Sequence, residues 1–294
     1  MTDPATAAFV AHRNLLFTVA YELLGSAADA EDVLQETWLR WSDVDLDDVR
    51  DQRAYLVRIT TRQALNRLRT AQRRRETYTG EWLPEPLLTA PDVADSAELA
   101  EQVSLAMLLV LETLAPLERA VFVLREVFDV GYDEIAAAVD RTPASVRQIA
   151  HRARDHVAAR RPRVVVPALE VKDALESFRR AMETGDVQGL LALLAPDVTL
   201  VADGGGIRTA ALRPILGADK VARFLFGALG KAGGTVTVEL VTVNGGPALV
   251  VTLDGEVDGV VAARVEAGRI AGLYYVRNPE KLARLEAETP LVLR

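Results

Sequence analysis

The chain has no cysteine in its 294 residues, which excludes disulfides, thiolate metal sites and cysteine nucleophiles. Histidine is nearly as scarce. His12, His151 and His156 are the only ones, so residues 168–294 lack the side chain best suited to moving protons near pH 7. Any acid–base pair there must come from Asp, Glu or Tyr, such as Asp197, Asp203, Tyr274 and Tyr275. No catalytic residue, metal or cofactor is expected. No apolar run approaches the ~20 residues of a membrane-spanning helix. The opening MTDPATAAFVAHRN lacks the basic-then-apolar order of a secretory signal. The expectation is a cytoplasmic protein that makes no use of a membrane.

Positive charge is in short supply overall, with a formal net charge of −8, yet it is concentrated. Between Arg50 and Arg75 stand nine arginines against Asp51 alone, and between Arg141 and Arg163 seven against Asp155. Acid gathers elsewhere, at Asp43, Asp45, Asp47 and Asp48 and again from Glu76 to Asp95. Two basic islands in an acidic chain suggest contact with nucleic acid at two places and with something basic elsewhere.

To about residue 75 the pattern is helical. FVAHRNLLFTVAYELLG stops at Gly25, AEDVLQETWLRW follows, SDVDLDDVRDQ reads as a loop, and RAYLVRITTRQALNRLRTAQRRR reads as one long helix. On that helix Arg58, Arg62, Arg69 and Arg73 fall in a stripe about 60° wide, apart from the apolar stripe. A solvated charged face is the bland reading. The lack of interleaved acid favours a nucleic-acid backbone as counter-charge. Residues 76–96, with three prolines and five acids, read as an extended linker reaching at most ~70 Å. It carries Trp82, Leu83, Pro84, Glu85 and Pro86; the tryptophan forms either a local patch or a partner site.

Residues 97–161 read as a second helical module. Helix 132–139, a turn at Asp140–Arg141, and a helix opened by Thr142–Pro143 make a helix-turn-helix. Val146, Ile149, Ala150, Ala153 and Val157 point inward, leaving Arg147, Gln148, His151 and Arg152 outward, the arrangement of a helix that reads a major groove. From 168 to 294 the pattern changes. Two helices, a strand ending in a glycine loop and a third helix precede strands punctuated by NGG, DG and AG, an α+β domain with helices on one face of a curled antiparallel sheet. NPEKLARLEAE reads as a helical tail.

These motifs together resemble the extracytoplasmic-function sigma factors of the sigma-70 family. AEDVLQETWLRW and the arginine helix resemble region 2 (1–75), and the helix-turn-helix resembles region 4 (97–161). Residues 168–294 resemble a SnoaL-like domain of NTF2-like fold. WLPEP, DGGG followed by IR, and NPEKL mark the type with that domain fused to the sigma core. The resemblance implies a multidomain fold: two all-α sigma modules, then an α+β NTF2-like cone. It implies binding to core RNA polymerase, at the β′ clamp through the face of Asp32, Gln35, Glu36 and Arg40, and also at the β flap. It also implies promoter DNA, with the −10 element read by 42–52 and the following helix and the −35 element by Arg147, Gln148, His151 and Arg152. A ~70 Å linker suits elements about two helical turns apart. Asp203, Gly204, Gly205, Gly206, Arg208, Asn278, Pro279, Lys281 and Leu282 match the segments through which the fused domain contacts the sigma core.

Three functions follow. The first is a sigma factor whose C-terminal domain modulates its activity. The second has that domain as a small-molecule sensor or enzyme, which requires a deep apolar pocket with a lone carboxylate; a solid interior would exclude it. The third, a stand-alone helix-turn-helix repressor, requires tight DNA binding without polymerase, which the acidic net charge disfavours.

Overall fold

The computed structural model describes residues 3–75, 77–90, 104–160, 166–231, 233–285 and 287–292, with the side chains at 72–74, Arg73 included, outside the description. The end of the linker (91–96), the start of the second module (97–103) and the basic run 161–165 also lie outside it. By contact the chain divides into two units. One joins Met1–Glu76, Leu108–Arg161 and Pro290–Arg294; the other joins Thr77–Met107 and Pro162–Thr289.

The first unit is helical. Helix α1 (Pro4–Leu24) begins with Asp3 accepting from the Thr6 amide at 3.1 Å and ends at Gly25, φ 65°. Helix α2 (Ala27–Trp41) is capped by Ser26, which accepts from the Asp29 amide at 3.2 Å. Helix α3 (Gln52–Arg75) packs on both. Trp41 is fully buried and its indole N–H donates to the Ala5 carbonyl at 2.8 Å, so the largest ring of this core leaves no polar atom unmet. The acidic loop before α3 holds one 3-10 turn, Leu46–Asp48.

Helix α4 (Leu105–Glu112) leads to α5 (Pro116–Phe122), which widens into a π turn, Val123–Val127. Helices α6 (Tyr132–Val139) and α7 (Pro143–Arg160) form the helix-turn-helix, joined through Asp140 at φ 55°. Thr142 Oγ1 accepts from the Ser145 amide at 3.2 Å, as a cap ahead of a first-position proline should. Val146, Ile149, Ala150, Ala153 and Val157 are buried, each larger one stabilising the unit by roughly 1.5–3 kcal/mol. Helices α5 and α6 pack on α3 within this unit.

The second unit is a six-stranded sheet in the order β2-β1-β6-β5-β4-β3. Its strands are β1 (Leu194–Asp203), β2 (Ile215–Leu216), β3 (Val236–Val243), β4 (Gly246–Leu253), β5 (Glu256–Glu266) and β6 (Arg269–Val276). Helices α8 (Ala168–Thr184), α9 (Val187–Leu193) and α10 (Ala218–Lys231) pack against it. Leu175, Phe178, Leu190, Val198, Val221 and Leu273 are among the core residues they share.

The strands punctuated by NGG, DG and AG pair antiparallel, as read, and β1 joins them parallel to β6, because α10 and the β3–β4–β5 meander intervene before the chain returns beside it. Two expectations need correction. The second of the two expected helices, read over VQGLLALLAPD (187–197), is α9 and stops at Leu193, since Leu194 already pairs with Ile270. The tail after Asn278 makes a single 3-10 turn, Pro279–Lys281, not a helix. Lys281 and Leu282 are drawn inward there, and the Thr289 amide donates to the Leu88 carbonyl at 2.7 Å. Helical hydrogen bonding would forfeit both.

Residues 77–90 are extended, as read, but they do not hang free. Leu83 and Leu87 are fully buried on the sheet unit. Leu88 bridges Val243, the Thr89 amide donates to the Thr242 carbonyl at 3.0 Å, and Asn244 and Leu87 exchange two bonds at 2.9 and 3.1 Å. The segment thus completes the β3 edge.

Candidate functional site

The outward face of α7 carries Arg147, Gln148, His151 and Arg152 together, all exposed. Tyr132 of α6 lies 5.5 Å from the Arg147 guanidinium and 5.0 Å from that of Arg125. Arg152 reaches Glu118 at 3.6 Å and His151 reaches Asp155 at 3.5 Å; both are surface pairs of small worth that a phosphate can displace.

The α3 stripe is placed less uniformly. Arg58 lies 4.5 Å over the Tyr55 ring and Arg69 is exposed. Arg62 instead donates to the Ala137 and Ala138 carbonyls at 2.7 and 3.2 Å, at the C-terminal end of α6. The free carbonyls and the dipole there both favour a cation. That contact takes up two of the five guanidinium donors and leaves the rest for a phosphate.

On α2, Asp32, Gln35, Glu36 and Arg40 are exposed in a row. Arg67 of α3 pairs with Asp32, with Asp29 at 2.7 Å and with Glu36 at 3.8 Å. The acidic face therefore carries part of its own counter-charge.

Sequence reasoning missed a buried charge network inside the first unit. Glu22 of α1 is fully buried, and among the described residues neither carboxylate oxygen has a hydrogen-bond partner. Burial raises its pKa to about 8, despite opposition from Arg119. Arg119 of α5 is buried too, donating to the Glu22 carbonyl at 2.8 and 3.1 Å and pairing with Glu112, which also holds Arg75. Desolvation lowers Arg119 to about 10 and Arg75 to about 9, so both stay charged at neutral pH. The available signal was a carboxylate inside the apolar run VAYELLG.

In the second unit the quoted motifs converge. Asp203, at the end of β1, is fully buried. Its Oδ1 accepts from the Tyr78 hydroxyl at 2.7 Å and the Gly205 amide at 3.0 Å; its Oδ2 accepts from Lys281 Nζ at 2.7 Å and the Leu83 amide at 2.9 Å. Lys281 also donates to the Leu83 carbonyl at 2.6 Å and sits 4.1 Å from the Trp82 ring. Asn278 donates to the Tyr78 oxygen at 2.9 Å. Burial and the Asp203 carboxylate push the Tyr78 pKa up, keeping it a donor.

The glycines fit this hub closely. A Cβ on Gly205, at φ 61°, would come within 2.4 Å of Asn278, and one on Gly204 within 2.1 Å of the Arg208 carbonyl. Gly206 faces Thr79. Pro84, Glu85 and Pro86 are buried and Leu282 is nearly so, while Pro279 and Arg208 are exposed. Tyr78 was missed because it lies outside WLPEP.

The interior is not solid. A cavity of about 640 Å³ lies between the sheet, α8 and α10. Among the described residues its one acid is Asp258, another residue the sequence did not single out. Arg277 donates to both its oxygens, at 2.7 and 3.0 Å, and the Tyr275 hydroxyl donates at 2.7 Å. Burial would raise Asp258, but these donors hold it below the usual carboxylate range; burial and Asp258 raise Tyr275. Of the acid–base candidates only Tyr275 lines the cavity. Asp197 is exposed and Asp203 is committed to the hub. Among the described residues no metal-binding cluster occurs, and no helix is long and apolar enough to cross a membrane.

Two family signatures account for the helical modules: residues 8–74 match Sigma-70 region 2 and residues 104–157 match Sigma-70, region 4. The chain belongs to the extracytoplasmic-function sigma factors of the sigma-70 family, proteins that direct promoter-specific transcription initiation by core RNA polymerase. It is 38% identical over 288 residues to the ECF RNA polymerase sigma factor SigJ of Mycobacterium tuberculosis, covering 93% of this chain and 91% of that one. It is 32% identical over 289 residues to the probable sigma factor SigI of the same species, covering 97% of each. The crystal structure of M. tuberculosis SigJ superposes with a TM-score of 0.77 at 34% identity over 98% of this chain and 100% of that one. That superposition takes in the sheet unit as well as the helical modules.

Proposed function

We propose that the C-terminal domain modulates the sigma core through its hold on residues 77–90. The observation that carries this is the Asp203 hub. A buried carboxylate, a buried lysine and two strand-like hydrogen bonds fix the segment between the two sigma modules to the sheet unit, so that segment is not free to leave the sheet while the hub is closed. Arg147, Gln148, His151 and Arg152 would read the −35 element. Arg58, Arg62, Arg69 and Arg73 would hold phosphates near the −10 element, Arg62 with the donors its contact to α6 leaves over. Asp32, Gln35, Glu36 and Arg40 would meet the β′ clamp. Run-off transcription with core polymerase, comparing the full chain with Asp203→Ala, tests the hub. The account expects altered promoter output; equal output across several promoters would contradict it.

Catalysis in the cone is disfavoured by the state of its one cavity acid. A general base works best with a pKa near the operating pH, and Asp258 is held in the opposite direction with all its near donors engaged.

A further inference from the structure

We infer that the cavity of the C-terminal domain is a binding site for an amphipathic organic anion, an acyl or similar apolar body ending in a carboxylate. About 640 Å³ is the size of a small-molecule site and accommodates roughly 12–20 non-hydrogen atoms. The walls are hydrocarbon and aromatic, with Phe178 and Met182 from α8, Phe224 from α10, and Leu249, Val251 and Val261 from β4 and β5. Such walls exclude a polar metabolite and accept an alkyl chain.

The charged lining is one-sided. Among the described residues Arg179, Arg208, Arg223, Lys231 and Arg277 line it beside a single acid, Asp258, in a chain whose net charge is −8. Asp258 is already satisfied by Arg277 and Tyr275, and Arg179 by Glu176 and Glu183 at 2.8 Å each. Among the described residues a ligand cation would find no free carboxylate in the cavity. Arg208 is exposed at the mouth, and among the described residues its guanidinium has no hydrogen bond or ion pair; Asp258 feels its field. On its other side Arg208 borders a hollow of about 210 Å³ with Asp254 and Glu256, and Asp254 there accepts from the Thr235 amide at 2.9 Å. Facing the cavity, Arg208 can take a carboxylate bidentately, with Arg223 and Lys231 adding positive field. The inference stands apart from the proposed regulation: its readout is binding, not transcription.

The test uses the full-length protein and three probes of equal chain length: dodecanoate, dodecanol and dodecyltrimethylammonium, titrated against a bound fluorescent reporter and checked by calorimetry. The expected result is one dodecanoate per chain, bound about tenfold or more tighter than the alcohol and tighter still than the cation. Arg208→Ala, at an exposed site that should fold normally, should bring acid and alcohol to within about threefold of each other. Val251→Trp, or Met182→Trp if the first does not fold, should abolish binding of all three. Equal affinity for acid and alcohol would overturn the anion assignment. No binding at millimolar probe would overturn the site, as would unchanged binding in a folded cavity-filled variant.

Discussion

Replacing Asp203 by alanine removes four hydrogen bonds at once, those from Tyr78, Leu83, Gly205 and Lys281. The Lys281 ammonium loses this carboxylate while its contacts with the Leu83 carbonyl and the Trp82 and Tyr78 rings stay in place. Breaking a buried ion pair from one side costs about 3–5 kcal/mol because the remaining charge is left uncompensated. That cost should fall on the docking of residues 77–90, whose local opening constant would rise by roughly two to three and a half orders of magnitude. Lys281→Met should cost less, since a thioether can fill the space beside Trp82. The double variant should be less destabilised than the sum of the two, with a coupling on the order of 1–3 kcal/mol. Hydrogen exchange at the Leu83, Leu87 and Thr89 amides reads the opening directly, and denaturant melts give the global change. A loss below about 1 kcal/mol, with protection at these amides unchanged, would refute the reasoning that this carboxylate clasps the segment.

The Glu22 carboxyl has a folded pKa of about 8 against an ordinary 4.5, so the folded state keeps a proton that the unfolded chain sheds. Stability should therefore fall as pH rises from about 4.5 to 8, by up to ~1.4 kcal/mol per unit. Glu22→Gln should flatten that window, and urea melts at pH 5 to 8 that show a constant difference between the two proteins would exclude the effect. Arg62→Ala frees the last carbonyls of α6 and should destabilise the first unit by about 0.5–2 kcal/mol, measurable by thermal unfolding. Arg147→Ala should relax base preference at one −35 position, whereas Arg69→Ala should weaken polymerase-bound DNA uniformly and lower the salt slope by about one.

Local signals made much of the first unit legible. Asp3, Ser26 and Thr142 stand where caps belong, Gly25 stops a helix, and the inward stripe of α7 has unambiguous period. The order of motifs gave the family. What the sequence could not supply was where long-range partners fall. Leu83, Leu87 and Thr89 look like linker because nothing local offers them a core, and their partners Asn244 and Asp203 lie more than a hundred residues away. The same distance hid Tyr78 and led NPEKL to read as a helix start. Arg62 read as a phosphate grip because its pattern on α3 says nothing of the α6 end it meets. Asp258 escaped notice since DG beside a strand also signals a turn, and only the fold sets it between Arg277 and Tyr275.

The most direct measurement of the central claim is run-off transcription from a promoter template with purified core polymerase and the full chain. The account predicts a transcript from one start site that needs both protein and core, disappears when the −35 element is scrambled, and is reduced by Arg147→Ala with Gln148→Ala. A protein that retards the same DNA tightly without core, and yields no transcript with it, would contradict the account.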